Sequence, residues 1–252
     1  MKSLALPTVN MRRIFFLRTE MDRLLVSSML FGFMLVVVRI SHTGSRMFIF
    51  MIWNLFLAYV PYALSTWLTA RYSSRLHDEN SHSRSLSPGA RRQGAWETVL
   101  LTALSLVWLL FIPNAFYMLT DLFHLTDGSG HSKVPQWFDL VMILSFAWNG
   151  LLLGVISVRQ MEKLWLPRAS FIGRWLFAYP IMVLNALGVY LGRYPRYNSW
   201  NIISDPFGLL ADIARMVVHP FQHHYAWDMI LCFSILLTLI YRMLCGGVKA
   251  LA

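Results

Sequence analysis

Six unbroken apolar runs dominate this chain, at residues 24–40, 47–70, 96–119, 137–158, 171–191 and 226–244. Each approaches the roughly 20 residues that a helix needs to cross about 30 Å of hydrocarbon. A bilayer core offers no partner for a free backbone N–H or C=O, so only helices and closed barrels span it. Barrel strands alternate apolar and polar residues over segments of about ten, and these runs do not alternate. The expected fold is therefore all-α: a polytopic six-transmembrane-helix bundle forming one membrane domain over residues 1–252.

Composition closes off the other classes. Hydrophobic residues make up 57% and charged residues 13% of the chain, against about a quarter charged in soluble domains. So apolar a chain is neither disordered nor, with only two cysteines, a disulfide scaffold. Of the 22 lysines and arginines, 16 fall in the N-terminal tail, the second and fourth connections and the C-terminal end. The positive-inside rule then predicts that both termini are cytoplasmic. The net charge of +10 is spread around the spans, so it suits anionic membrane lipid as partner and not nucleic acid. The sequence points to no protein partner. The first run reads as an uncleaved anchor, because VVVRISHTGS lacks a small-x-small cleavage site.

The connections differ in kind. Residues 71–94, rich in serine and arginine with no hydrophobic period, read as a flexible cytoplasmic loop. The fifth connection carries an apolar stripe, Phe207, Leu210, Ala214, Val217 and Phe221, at helical spacing. Asp205 is placed as its N-cap, Pro206 as its first residue and Pro220 as its stop, predicting a short amphipathic helix at the outer interface over 206–219. Gly150 and Gly154 form a small-xxx-small ridge for close helix contact, and Asn54, Asn114, Asn149 and Asn185 read as interhelical hydrogen-bond donors.

The string FIPNAFYMLTDLFHL, which ends the third run, is the most unusual in the chain. Pro113 bends the helix and Asn114 can satisfy a carbonyl that the bend frees. Asp121 and His124 follow three apart, on one face if the helix persists. That pair suits a carboxylate-oriented base or a metal site, and equally an ordinary cap with a polar neighbour. Metal ligation by Asp121, His124, His219 and His223 (or His224) requires the third and fifth connections to meet, and Pro220 interrupts the His219/His223 spacing. Asp139 and Asp228 begin their helices, where the helix dipole stabilises them, and Arg39, Arg193 and Arg196 offer counter-charges in a wet network on that side. No cofactor is indicated, and nucleophile-elbow, zincin and Walker patterns do not occur.

FIPNAFYMLTDLFHL together with YLGRYPRYNSWN resembles a bacterial integral-membrane family catalogued as domain of unknown function 1361. That family's pattern is similar to PNAPY-x-x-TD-x-x-HL, with a later R-x-NSWD. The resemblance marks Pro113, Asn114, Tyr117, Thr120, Asp121, His124, Leu125, Arg196, Asn198, Ser199 and Trp200. Phe116 departs from the family's proline and Asn201 from its aspartate. The resemblance implies an architecture and a set of positions, not an activity.

Three functional readings follow. The first is an accessory or structural membrane protein with a polar site on its outer face. The second is an outer-leaflet enzyme acting on a lipid-linked or phosphate-bearing substrate. In it Asp121 and His124 are the candidate catalytic groups, and Asn114, Tyr117, Thr120, Arg193, Arg196, Asn198 and Trp200 the candidate substrate-binding residues. There Asp121 orients His124 or neutralises Arg196. The third is a small transporter, which the lack of ionisable residues at mid-helix depth opposes.

Overall fold

A computed structural model describes residues 20–78, 88–125, 134–168, 170–197 and 204–250. The described residues form helices and short turns: α1 (Glu20–Thr43), α2 (Phe50–Asp78), α3 (Pro88–Phe111), α4 (Pro113–Tyr117), a 3-10 segment (Met118–Leu125), α5 (Gln136–Trp165), α6 (Phe171–Arg193), α7 (Pro206–Val218) and α8 (His224–Ala250). Five helical stretches are long and apolar enough to cross a membrane: Glu20–Thr43, Trp96–Leu125, Gln136–Trp165, Phe171–Arg193 and His224–Gly246. They mark the chain as a multi-pass membrane protein.

The second predicted run, 47–70, forms α2, which is 29 residues long but is not one of those five. Its apolar character is diluted by Asn54, Tyr59, Tyr62, Ser65, Thr66 and Thr69. Several of these groups meet polar partners on α5. The Ser65 hydroxyl donates to Gln160 Oε1 at 2.6 Å and lies 2.9 Å from the Ser157 hydroxyl. Ser157 in turn reaches the Pro61 carbonyl at 3.1 Å, beside the bend that a mid-helix proline imposes. Trp108 of α3 donates to the same Ser157 hydroxyl at 2.7 Å. Hydroxyls and amides that satisfy one another in this way are tolerated in an apolar core.

α5 is the central helix. Two thirds of its most apolar window, 67%, is buried inside the protein, against 22–39% for the other four spanning stretches. It packs against α1, α2, the 3-10 segment and α4, while α6 packs on α8 and α4. The surrounding helices turn large apolar side chains outward, among them Phe33, Trp53, Leu106, Leu176 and Met243. A soluble surface would not carry a belt of that kind.

Predicted residues 71–94 are not without regular structure. α2 continues to Asp78 and α3 begins at Pro88. Once a helix exists, each further residue adds a hydrogen bond at little cost, so it propagates into polar sequence. Residues 79–87 lie outside the described residues. In the fifth connection the amphipathic helix is present as α7, with Asp205 Oδ1 accepting from Gly208 N–H at 3.0 Å and Pro206 in the first turn.

Candidate functional site

The site is built around the break that Pro113 makes. α3 ends at Phe111, and Asn114 Nδ2 donates to the Phe111 carbonyl at 2.9 Å, as the sequence predicts. Thr120 donates to the Tyr117 carbonyl at 2.7 Å and stabilises the tightening from α4 into the 3-10 segment. Residues three apart eclipse in a 3-10 helix, so Asp121 and His124 do share a face.

Two glycine ridges clamp this segment. On α5, a Cβ at Gly150 would lie 2.6 Å from the Ala115 carbonyl oxygen, and one at Gly154 2.8 Å from the Phe116 ring. On α6, a Cβ at Gly188 would meet the Pro113 ring at 2.6 Å and one at Gly192 the Tyr117 ring at 3.2 Å. The first ridge is the predicted one. The second is an equally plain Gly-x-x-x-Gly in the sequence, and without its lack of side chains α6 could not approach α4 so closely. Phe116 is the residue that fills the Gly154 notch.

Between α2, α4, α6 and the chain leading to α7 lies a cavity of about 710 Å³. Asn54, Asn114, Tyr117, His124, Arg193, Arg196 and Tyr197 give it polar walls, and Phe50, Leu57, Leu110, Pro113, Leu191 and Leu209 apolar ones. The third and fifth connections therefore do meet. His124 and Arg193 are joined by a 3.1 Å contact between Arg193 Nη1 and His124 Nε2. A guanidinium can only donate, so Nε2 accepts and the ring proton lies on Nδ1. Phe50 stands edge-on to the His124 ring with centroids 5.2 Å apart, and the Arg193 guanidinium sits over Phe123 at 5.2 Å. Arg196 lines the cavity from a backbone with φ of 63°, in the left-handed region that costs a non-glycine residue strain. Neither Arg193 nor Arg196 has a carboxylate within ion-pair distance among the described residues.

Asp121 lies just outside the cavity, 1% exposed. Its Oδ2 accepts from Asn54 Nδ2 at 3.3 Å, while Oδ1 has no hydrogen-bond partner among the described residues. His124 and Arg193 are the charged or titratable groups that act on it electrostatically. The expected partner, Arg196, is not among them, because the α6 C-terminus presents Arg193 on the side nearer the 3-10 segment.

Several other expectations are corrected. Asp139 does stand in the first turn of α5 with Arg39 as its counter-charge, but the pair is buried and not part of a wet network. It is a buried counter-ion, with Arg39 Nε at 2.7 Å and Nη2 at 3.1 Å from its two oxygens and the guanidinium 4.2 Å over Phe48. That bidentate pair ties α1 to α5. Asn149 and Asn185 donate within their own helices, to Ser145 and Ile181 carbonyls at 2.8 and 2.9 Å, whereas Asn54 bridges from α2 to Asp121 of the 3-10 segment. No group of three or more His, Cys, Asp or Glu that could hold a metal occurs among the described residues. Asp121, His124, His219 and His223 do not form one, since α7 ends at Val218 and His219 and His223 fall in the turn beyond it. Asn198, Ser199 and Trp200 lie outside the described residues.

Sequence reasoning missed two features. Tyr197 donates to Asp212 Oδ2 at 2.7 Å, pinning the chain after α6 to α7, and Trp227 of α8 donates to the Met216 carbonyl at 3.0 Å. At the opposite end of α5, buried Glu162 gathers Arg159, Arg174 and the Tyr241 hydroxyl.

A family model described as "Protein of unknown function (DUF1361)" matches residues 53–240. That stretch includes Asn54, the α4 and 3-10 segments, both glycine ridges and both cavity arginines. No curated protein and no solved structure matches the chain.

Proposed function

The chain belongs to the DUF1361 family of proteins of unknown function, and on that premise we propose that its cavity is a binding site for a phosphate-bearing anionic ligand. One observation carries this reading: two arginines line the cavity without a carboxylate partner among the described residues. Arginine offers a planar fork of donors that matches phosphate oxygens, and here half-buried Arg193 and exposed Arg196 present two such forks to one cavity. A volume of about 710 Å³ falls in the range of small-molecule sites. A purely structural lock would have every charge paired and no space beside it. The cavity favours a ligand site over that alternative.

In this reading the chain crosses a bacterial inner membrane six times, with both termini cytoplasmic and the cavity at the outer face. The extensive packing of α2 on α5 supports the sixth crossing, since its polar groups are turned inward onto partners. α7 lies along the outer interface, a placement supported by its exposed Phe207, Leu210, Val217 and Val218 and by Phe221 just beyond it.

A ligand that binds the folded state raises its melting temperature. Dihexanoyl phosphatidic acid, a soluble short-chain phosphate monoester, should therefore stabilise the detergent-purified protein. Arg193→Gln should abolish the shift. An equal shift in wild type and variant would contradict the assignment.

A further inference from the structure

A ligand can reach the cavity from water or from the bilayer, and the helix packing distinguishes the two. α2 and α6 both pack on α4, yet they form no extensive contact with each other, and neither do α3 and α6. The helices diverge around α4 and leave a seam whose floor is the Pro113–Tyr117 helix. The cavity follows that seam. Phe50, Asn54 and Leu57 are successive contributions from α2, so its wall runs about 10 Å along that helix. The two ends differ in chemistry. Phe50 packs on His124 beside Arg193, whereas Leu57 lies two turns further along α2 and Leu110 stands in α3 just before its break at Phe111. Leu110 also faces outward, 46% exposed, on the belt of apolar side chains that meets lipid in a spanning bundle.

We propose that the occupant is an anionic membrane lipid that enters sideways from the bilayer between α2 and α6. Its phosphate head group sits on Arg193 and Arg196, and the start of its hydrocarbon chain lies against Leu57 and Leu110. This rests on the anion-site reading and adds the source of the ligand. A water-soluble phosphate has no use for the apolar limb, and an uncharged lipid brings no anion to the two arginines. Only a molecule with both parts matches the whole cavity.

The test uses the full chain in nanodiscs of phosphatidylcholine with a minor fraction of long-chain phosphatidic acid. Native mass spectrometry after extraction reads the retained lipid. In parallel, glycerol 3-phosphate binding to the same proteins reads the head-group site alone. Wild type should retain phosphatidic acid selectively. Leu57→Trp and Leu110→Trp, which fill the apolar limb, should each cut that retention roughly tenfold and lower glycerol 3-phosphate binding by a much smaller factor, because the arginines are untouched. Arg193→Gln should weaken both. If a Trp variant melts early, Leu110→Ser at the exposed position gives the same test by making the limb polar. Retention in the limb variants equal to wild type, with Arg193→Gln still defective, would overturn entry from the bilayer and leave the anion site standing. Wild-type binding of neither probe would overturn both.

Discussion

The ring of Pro113 lies against Gly188 so closely that a Cβ on the glycine would sit 2.6 Å from the proline Cβ and 2.7 Å from its Cγ. Both atoms belong to a rigid ring, so nothing flexible can yield. Gly188→Ala should therefore push α6 away from α4, at about 1–3 kcal/mol for overpacking. At Gly192 the neighbour is the edge of the Tyr117 ring at 3.2 Å, which can rotate aside. Melting temperatures in one detergent should fall in the order wild type, Gly192→Ala, Gly188→Ala. A Gly188→Ala protein as stable as wild type would mean that the α4–α6 contact is looser than described.

Asn114 makes the complementary test at the other side of the bend. Its Nδ2 supplies the Phe111 carbonyl at a part-buried position on the cavity wall. Asn114→Leu removes that donor, at roughly 1–3 kcal/mol. The expected result is a lower melting temperature; an unchanged one would show that another group or water serves that carbonyl.

Acid should act on α7. The hydroxyl of Tyr197 holds the Asp212 carboxyl below its ordinary value, helped by Arg215, and the same hydrogen bond pushes the Tyr197 hydroxyl up. A depressed carboxyl contributes while it is ionised in both states, above about pH 4, and that contribution is lost as pH falls further. Protease sensitivity of α7 should thus stay flat through neutral pH and rise only below about pH 4. Tyr197→Phe should remove the acid step. Loosening that begins near neutrality, or a variant with the wild-type profile, would contradict the pinning role.

Much of this arrangement was legible in the sequence because it is local. Apolar run length located the helices, Pro113 located the break, and Asp205-Pro206 located the start of α7. The second run shows where local reading strains. Its hydroxyls lower its apolar character, and only the partners on α5, about a hundred residues away in sequence, explain how they are satisfied. Partner choice was the least legible step. Arg39, Arg193 and Arg196 all stood as counter-charges for one side, yet Arg39 took Asp139 alone and Arg193 went to His124. Spacing says which residues share a helix face. It does not say which of three arginines a neighbouring helix brings within hydrogen-bond reach.

The proposed orientation rests on the lysine and arginine distribution. A periplasm-active reporter fused after Gly128 should be active, and one fused after Ser85 silent. The reverse pattern would place the cavity on the cytoplasmic side.

The most direct test of the central claim is phosphorus NMR of dihexanoyl phosphatidic acid added to the purified protein. The account predicts a shifted or broadened phosphorus signal with wild type, and the signal of free ligand with the Arg193→Gln/Arg196→Gln double variant, because charge-assisted bonds of about 1.5–3 kcal/mol each are lost. A signal perturbed equally by both proteins, or by neither, would contradict a phosphate site at these arginines.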